Sequence, residues 1–194
     1  MIEQEAVFAN DRQKVEVSVV KKDAQTKAEV AGAVFGLYAK EDIVNPAGDV
    51  IVKADTLIGK ALSDENGKAV FLNDLPFGSY YIKEETAPDG YVSSDKVVEV
   101  TAKYQGQEIP VVELVSDFEN APTKIAVKKT DLTTGVELEG AKLTVLDKDG
   151  NVVDSWTSVK GEEHLIERLT VGETYTLREE LAPYGYLKAE EITF

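Results

Sequence analysis

Two lysines and two glutamates occupy strand positions where apolar side chains are expected. Val15, Val17, Val19 and Lys21 alternate with Glu16, Ser18 and Val20, the two-residue period of a half-buried strand. Lys21 therefore shares a face with three valines, and Lys129 follows Ile125 and Val127 in the same way. Tyr80, Ile82 and Glu84 line one face of another run, repeated by Tyr175, Leu177 and Glu179. Taken singly, each charge reads as a strand end whose polar head reaches water. An inward lysine and an inward glutamate in both copies change that weighing, because each charge lowers the cost of burying the other.

Asn120 is the third group. Leu114, Ser116, Phe118 and Asn120 fall on one strand face, so the amide can point inward; the alternative is a linker asparagine that caps a turn. Burial disfavours charge, which lowers the pKa of an amine and raises that of a carboxyl group. A neutral amine is a nucleophile. A protonated carboxyl can polarise an amide carbonyl and carry protons to departing ammonia. Lys21, Glu84 and Asn120 would thus yield a Lys–Asn isopeptide bond, formed once and without a cofactor.

Several elements must position these groups. An internal repeat organises the chain: residues 17–41 align with 125–149, and YYIKEETAPDGY (80–91) aligns with YTLREELAPYGY (175–186). Further alternation at Ala33, Phe35 and Leu37, and at Ala141, Leu143 and Val145, extends the strand pattern. Asn66-Gly67, Asp89-Gly90 and Asp149-Gly150 mark turns. No long segment carries a helical apolar stripe, so the fold class is all-β: two tandem β-sandwiches. The expected domains are 12–120 and 121–194, with the boundary at Asn120-Ala121-Pro122. So short a linker implies a stiff pair.

Phe8 and Asn10 repeat the spacing of Phe118 and Asn120. Residues 1–11 are therefore expected to form the terminal strand of a preceding module. The second domain is expected to lack its last strand, since it reaches Ile192-Thr193-Phe194 without such a segment. The first strand could then be exchanged between chains, bringing Asn10 to Lys129 and Glu179 of a neighbour as an intermolecular acceptor.

Glu84-Glu85-Thr86-Ala87-Pro88-Asp89-Gly90-Tyr91 resembles the E-box of CnaB-type domains of Gram-positive pilins and adhesins, usually Glu-x-x-Ala-Pro-x-Gly-Tyr. Glu179 through Tyr186 matches it as well. Lys21-Lys22-Asp23 and Lys129-Thr130-Asp131 are similar to that family's lysine motif, followed by Ala31-Gly32-Ala33 and Glu139-Gly140-Ala141. The resemblance implies an inverse immunoglobulin-like, or prealbumin-like, sandwich with an isopeptide between first and last strands. Lys21, Glu84 and Asn120 would serve the first domain, while the second supplies Lys129 and Glu179 only. It also implies an extracellular location, with the full-length parent anchored to the cell wall.

Composition narrows the classes further. The 194 residues carry a net charge of −15, which disfavours nucleic acid and anionic membranes as partners. Hydrophobic residues make up 43%, enough for packed cores. Cysteine is absent, so an exported chain of this size needs another staple. Asp147-Lys148-Asp149-Gly150-Asn151 has the wrong spacing for a calcium loop and reads as a hairpin turn, so no metal is assigned. His164 is the single histidine and Trp156 the single tryptophan, the latter read as core. The expected function is a structural stalk or pilin-shaft fragment whose partners are neighbouring modules of the same surface protein. The alternative is an adhesin module that binds a host protein or glycan. Turnover catalysis is not expected.

Overall fold

The computed structural model describes residues 13–72 and 74–194. Both the strand expected over residues 1–11 and Asn10 lie outside them. The chain divides into two compact units. The first runs to Pro88 and resumes over Ser93–Asn120; the second comprises Asp89–Val92 and Ala121–Phe194. The four residues 89–92, which the sequence repeat assigns to the first domain, thus group with the second unit. Strands are the only regular elements among the described residues.

In the first unit, β1 (Lys14–Asp23) is the centre of a three-stranded sheet. It pairs antiparallel with β6 (Lys68–Phe71) and parallel with β9 (Val111–Asn120). A parallel neighbour cannot be reached by a tight turn, so the rest of the unit forms the connection between β1 and β9. That connection carries β2 (Val34–Ala39), β5 (Leu57–Leu62), β7 (Gly78–Thr86) and β8 (Val97–Ala102), which make a second sheet in the order β5-β2-β7-β8. A small hairpin joins β3 (Ile43–Val44) to β4 (Val50–Val52).

The two-residue periods of both sheets meet in one core. Val15, Val17 and Val19 from β1 and Val112 and Phe118 from β9 pack with Phe35, Leu37, Tyr80 and Ile82. Each such side chain contributes about 1.5–3 kcal/mol on burial. Phe35 and Phe118 meet edge to face across the core, ring centroids 5.1 Å apart.

The second unit repeats the plan with fewer strands. Here β10 (Lys124–Val127) pairs antiparallel with β13 (His164–Glu167). Facing them, β11 (Lys142–Leu146), β12 (Val152–Thr157), β14 (Thr176–Leu181) and β15 (Ile192–Thr193) form a sheet in the order β12-β11-β14-β15. Val145, Ile166, Leu169 and Tyr175 form its core, with Ile125, Val127, Trp156 and Leu177 against it. Trp156 stacks on His164 at 4.0 Å, and His164 Nε2 lies 2.7 Å from Asp154 Oδ2. In the Asp147 segment, Asp147 Oδ1 accepts the N–H groups of Asp149 and Asn151, closing the expected turn.

Matched side-chain bonds fix matched loops. The hydroxyl oxygen of Ser63 accepts from Ala33 N at 2.9 Å, and that of Ser158 from Ala141 N at 3.0 Å. Asp23 and Asp131 each cap the turn after the lysine strand, accepting from the backbone two and three residues on. These pairs tie the same loop positions in both units.

Gly67 holds the β5–β6 turn against β1 at the lysine itself. It lies at φ +67°, and its carbonyl accepts Lys21 N at 2.8 Å. A Cβ there would lie 2.5 Å from the Lys21 carbonyl oxygen, whereas one on Gly48, at φ +91°, would meet nothing within 4 Å. Gly48→Ala is expected to cost the left-handed strain alone, about 1–2 kcal/mol. Gly67→Ala should cost clearly more in urea unfolding; equal losses would show that β1 yields at this contact.

Candidate functional site

Lys21 is fully buried, with 0% of its surface exposed. The strand pattern puts it there: it follows Val15, Val17 and Val19 on the inner face of β1, and Phe118 is its register partner on β9. Two register pairs on, Asp23 stands beside Asn120, which places the asparagine on the same inner face, diagonal to the lysine. The ammonium donates to the Lys22 carbonyl at 3.0 Å. Burial pushes the Lys21 pKa below its ordinary 10.5, opposed by the negative charges of Glu84, Asp23 and Glu119.

Glu84 arrives from the opposite sheet. It sits on β7 after Tyr80 and Ile82, with Phe35 as its register partner on β2. Both carboxylate oxygens accept from Asn120 Nδ2, at 2.8 and 2.7 Å. Glu84 Oε2 also accepts from Ser94 N at 3.1 Å. Asn120 is 2% exposed, and its Oδ1 has no hydrogen-bond partner among the described residues. A buried carbonyl left in this way costs about 1–3 kcal/mol. Its amide nitrogen, the atom that an attack on the side-chain carbonyl must expel, is the one held by the carboxyl group.

The second unit reproduces half of this arrangement. Lys129 Nζ lies 3.1 Å from Glu179 Oε1, an ion pair whose angles do not make a hydrogen bond. Glu179 is 3% exposed, and its Oε2 accepts from Ala189 N. Among the described residues β10 pairs with β13 alone, so no strand lies beside Lys129 as β9 lies beside Lys21. Val127, Leu143, Leu177 and Ile192 surround the pair in a pocket of about 190 Å³.

The three groups expected in the first domain thus converge, and the two expected in the second pair with each other. Sequence reasoning missed the backbone donors. Ser94 and Ala189 each lie ten residues after their glutamate, a matched spacing in the repeat, but N–H groups leave no trace in side-chain type. It also missed Glu119, whose charge acts on Lys21 together with that of the motif residue Asp23.

This architecture defines tandem prealbumin-like sandwiches, each with a lysine on or just past its first strand, Lys21 within β1 and Lys129 two residues after β10, and a glutamate on the facing sheet. The chain belongs to the SpaA prealbumin-like fold domain family, whose model matches residues 15–114 and 123–194. The resemblance to CnaB-type domains is thereby borne out. No curated protein matches the chain in sequence. Among solved structures it is similar to the TIE protein of Bacillus anthracis, at 25% identity and TM-score 0.56, covering 94% of this chain and 31% of that one. A Streptococcal ancillary pilin matches at 24% identity and TM-score 0.41, covering 95% and 59%. The shaft pilin SpaA of Lactobacillus rhamnosus GG matches at 15% and 0.39, covering 94% and 92%.

The depressed Lys21 pKa has a signed consequence for the uncrosslinked fold. Between that pKa and 10.5 the unfolded chain binds the extra proton, so stability rises with pH through this window. Asn120→Ala should therefore gain stability there relative to the Asn120→Ala, Lys21→Met double variant, as read by urea unfolding at stepped pH. A flat difference would contradict a desolvated amine.

Proposed function

We propose that this chain is a structural segment of a Gram-positive surface protein, a stalk or pilin shaft, stapled by a Lys21–Asn120 isopeptide bond. The observation that carries the reading is the Asn120 amide held on both oxygens of Glu84, with buried Lys21 on the adjacent parallel strand. Neutral Lys21 Nζ attacks Asn120 Cγ; the N–C bond forms, the bond to Nδ2 breaks, and ammonia leaves. Glu84 takes the proton lost by the amine and delivers it to Nδ2. The carboxyl group is regenerated, but the amine and the amide are consumed, so the reaction happens once.

The family and the pilins named above support the structural role and, with it, an extracellular, wall-anchored parent. The proposed bond closes a loop of about 100 residues and, by analogy with other crosslinks, stabilises by roughly 4–5 kcal/mol.

Intact mass is the direct test. The purified chain should be lighter than its sequence by one ammonia, and Lys21→Ala or Glu84→Ala should restore the full mass; an unshifted wild-type mass would falsify the bond. Asn120→Ala should also lower the melting midpoint of the first unit by on the order of 20 °C.

For the second unit we read Lys129 and Glu179 as a site awaiting an amide or carboxyl on a strand along β10. Glu179 Oε1, buried without a hydrogen bond, supports this. Exchange of the segment carrying Asn10 would supply such a strand from another chain. Covalent ladders on denaturing gels at high protein concentration, lost in Lys129→Ala, are the expected outcome; monomer alone rules out covalent exchange.

A further inference from the structure

The E-box loops of the two repeats have the same backbone but different surroundings. In the second unit, Asp89–Val92 is clasped by the segment that opens the repeat. Val92 N donates to Ala121 O at 2.9 Å, Thr123 N donates to Gly90 O at 2.9 Å, and Tyr91 bridges Pro122. Arg168 completes the seat. Its guanidinium lies 5.7 Å from the centre of the Tyr91 ring. A Cβ on Gly90 would meet the Arg168 carbonyl oxygen at 2.7 Å.

Pro183-Tyr184-Gly185-Tyr186-Leu187 is the second copy of Pro88-Asp89-Gly90-Tyr91-Val92. Gly185 has φ +86°, against +79° for Gly90, so the loop has the same left-handed turn. Around Gly185, however, a Cβ would meet nothing within 4 Å. Tyr184 is 104% exposed and Leu187 93%. Leu181 and Val136, also exposed, border the same shallow concavity. The Asp131 carboxylate beside the Tyr186 hydroxyl raises its pKa, which places it at the back of the loop, while Tyr184 and Leu187 on the outer edge stay exposed.

We infer that the Tyr184–Leu187 loop is a docking seat for the opening segment of another prealbumin-like module. The occupant it fits is an extended Ala-Pro-Thr-type strand start that gives one carbonyl and one N–H to the loop, with a cationic side chain over Tyr186. Continuity with the first repeat carries this assignment, since there the same loop holds such a segment. The inference does not depend on the Lys21–Asn120 bond.

A test extends the chain after Phe194 by a copy of residues 101–194. The junction follows the register: Tyr175 exchanges backbone bonds with Phe194 as Tyr80 pairs with Val100. Hydrogen exchange at the Leu187 amide, the counterpart of Val92 N, should slow on the order of tenfold or more relative to the 194-residue chain. Unchanged exchange beside a folded added module overturns the inference. If the added module does not fold, the labelled 194-residue chain is titrated with a peptide of residues 119–126. Amide shifts centred on Tyr184–Leu187 then support the seat, and their absence up to millimolar peptide overturns it.

Discussion

The parallel ladder between β1 and β9 is the constraint on which the first unit depends. It runs through ten register pairs, from Lys14 with Val111 to Asp23 with Asn120. Because parallel neighbours need a long crossover, this pairing encloses β6 and the whole facing sheet between the two partners. The same ladder brings Lys21 and Asn120 to one face at its far end. Ion pairs on the solvent side, Lys22 with Asp117 and Lys27 with Glu119, follow this register but are exposed and contribute little. Core packing through Phe35 and Phe118 does more to hold it, and it also excludes water from the lysine.

Burial of the lysine is then the cost that the rest of the site offsets. An amine taken from water into an apolar core is destabilising unless paired or neutral. In the first unit a carboxylate from the facing sheet and a neighbouring aspartate supply opposite charge, while desolvation still wins and depresses the pKa. In the second unit Lys129 remains 17% exposed in its side chain and forms a direct ion pair with Glu179.

Much of this was legible in the sequence because strands report their faces with a period of two. Lys21, Glu84 and Asn120 stood out as polar residues in apolar registers, and the repeat doubled the signal at Lys129 and Glu179. What stayed hidden was carried by backbone or by fold. The Ser94 and Ala189 N–H groups have no residue signature. That Asp89–Val92 would group with the second unit was equally invisible, since its residues follow the first repeat without a break. The parallel order of β1 and β9 was hidden too, because periodicity is blind to strand direction. Trp156 was read as core, and its stacking on His164 depends on two strands brought together only by the fold.

The β3–β4 hairpin has a consequence of a different kind. Val44, Val50 and Ile51 are exposed on it, and its tip contains Pro46, Ala47 and Gly48, the sort of loop that proteases nick. Lys21 precedes this hairpin and Asn120 follows it. Were the two joined by the proposed bond, a cut there would open a ring instead of severing a thread, and both fragments would remain one covalent molecule. A surface exposed to hostile enzymes could accumulate such damage without shedding the material beyond it.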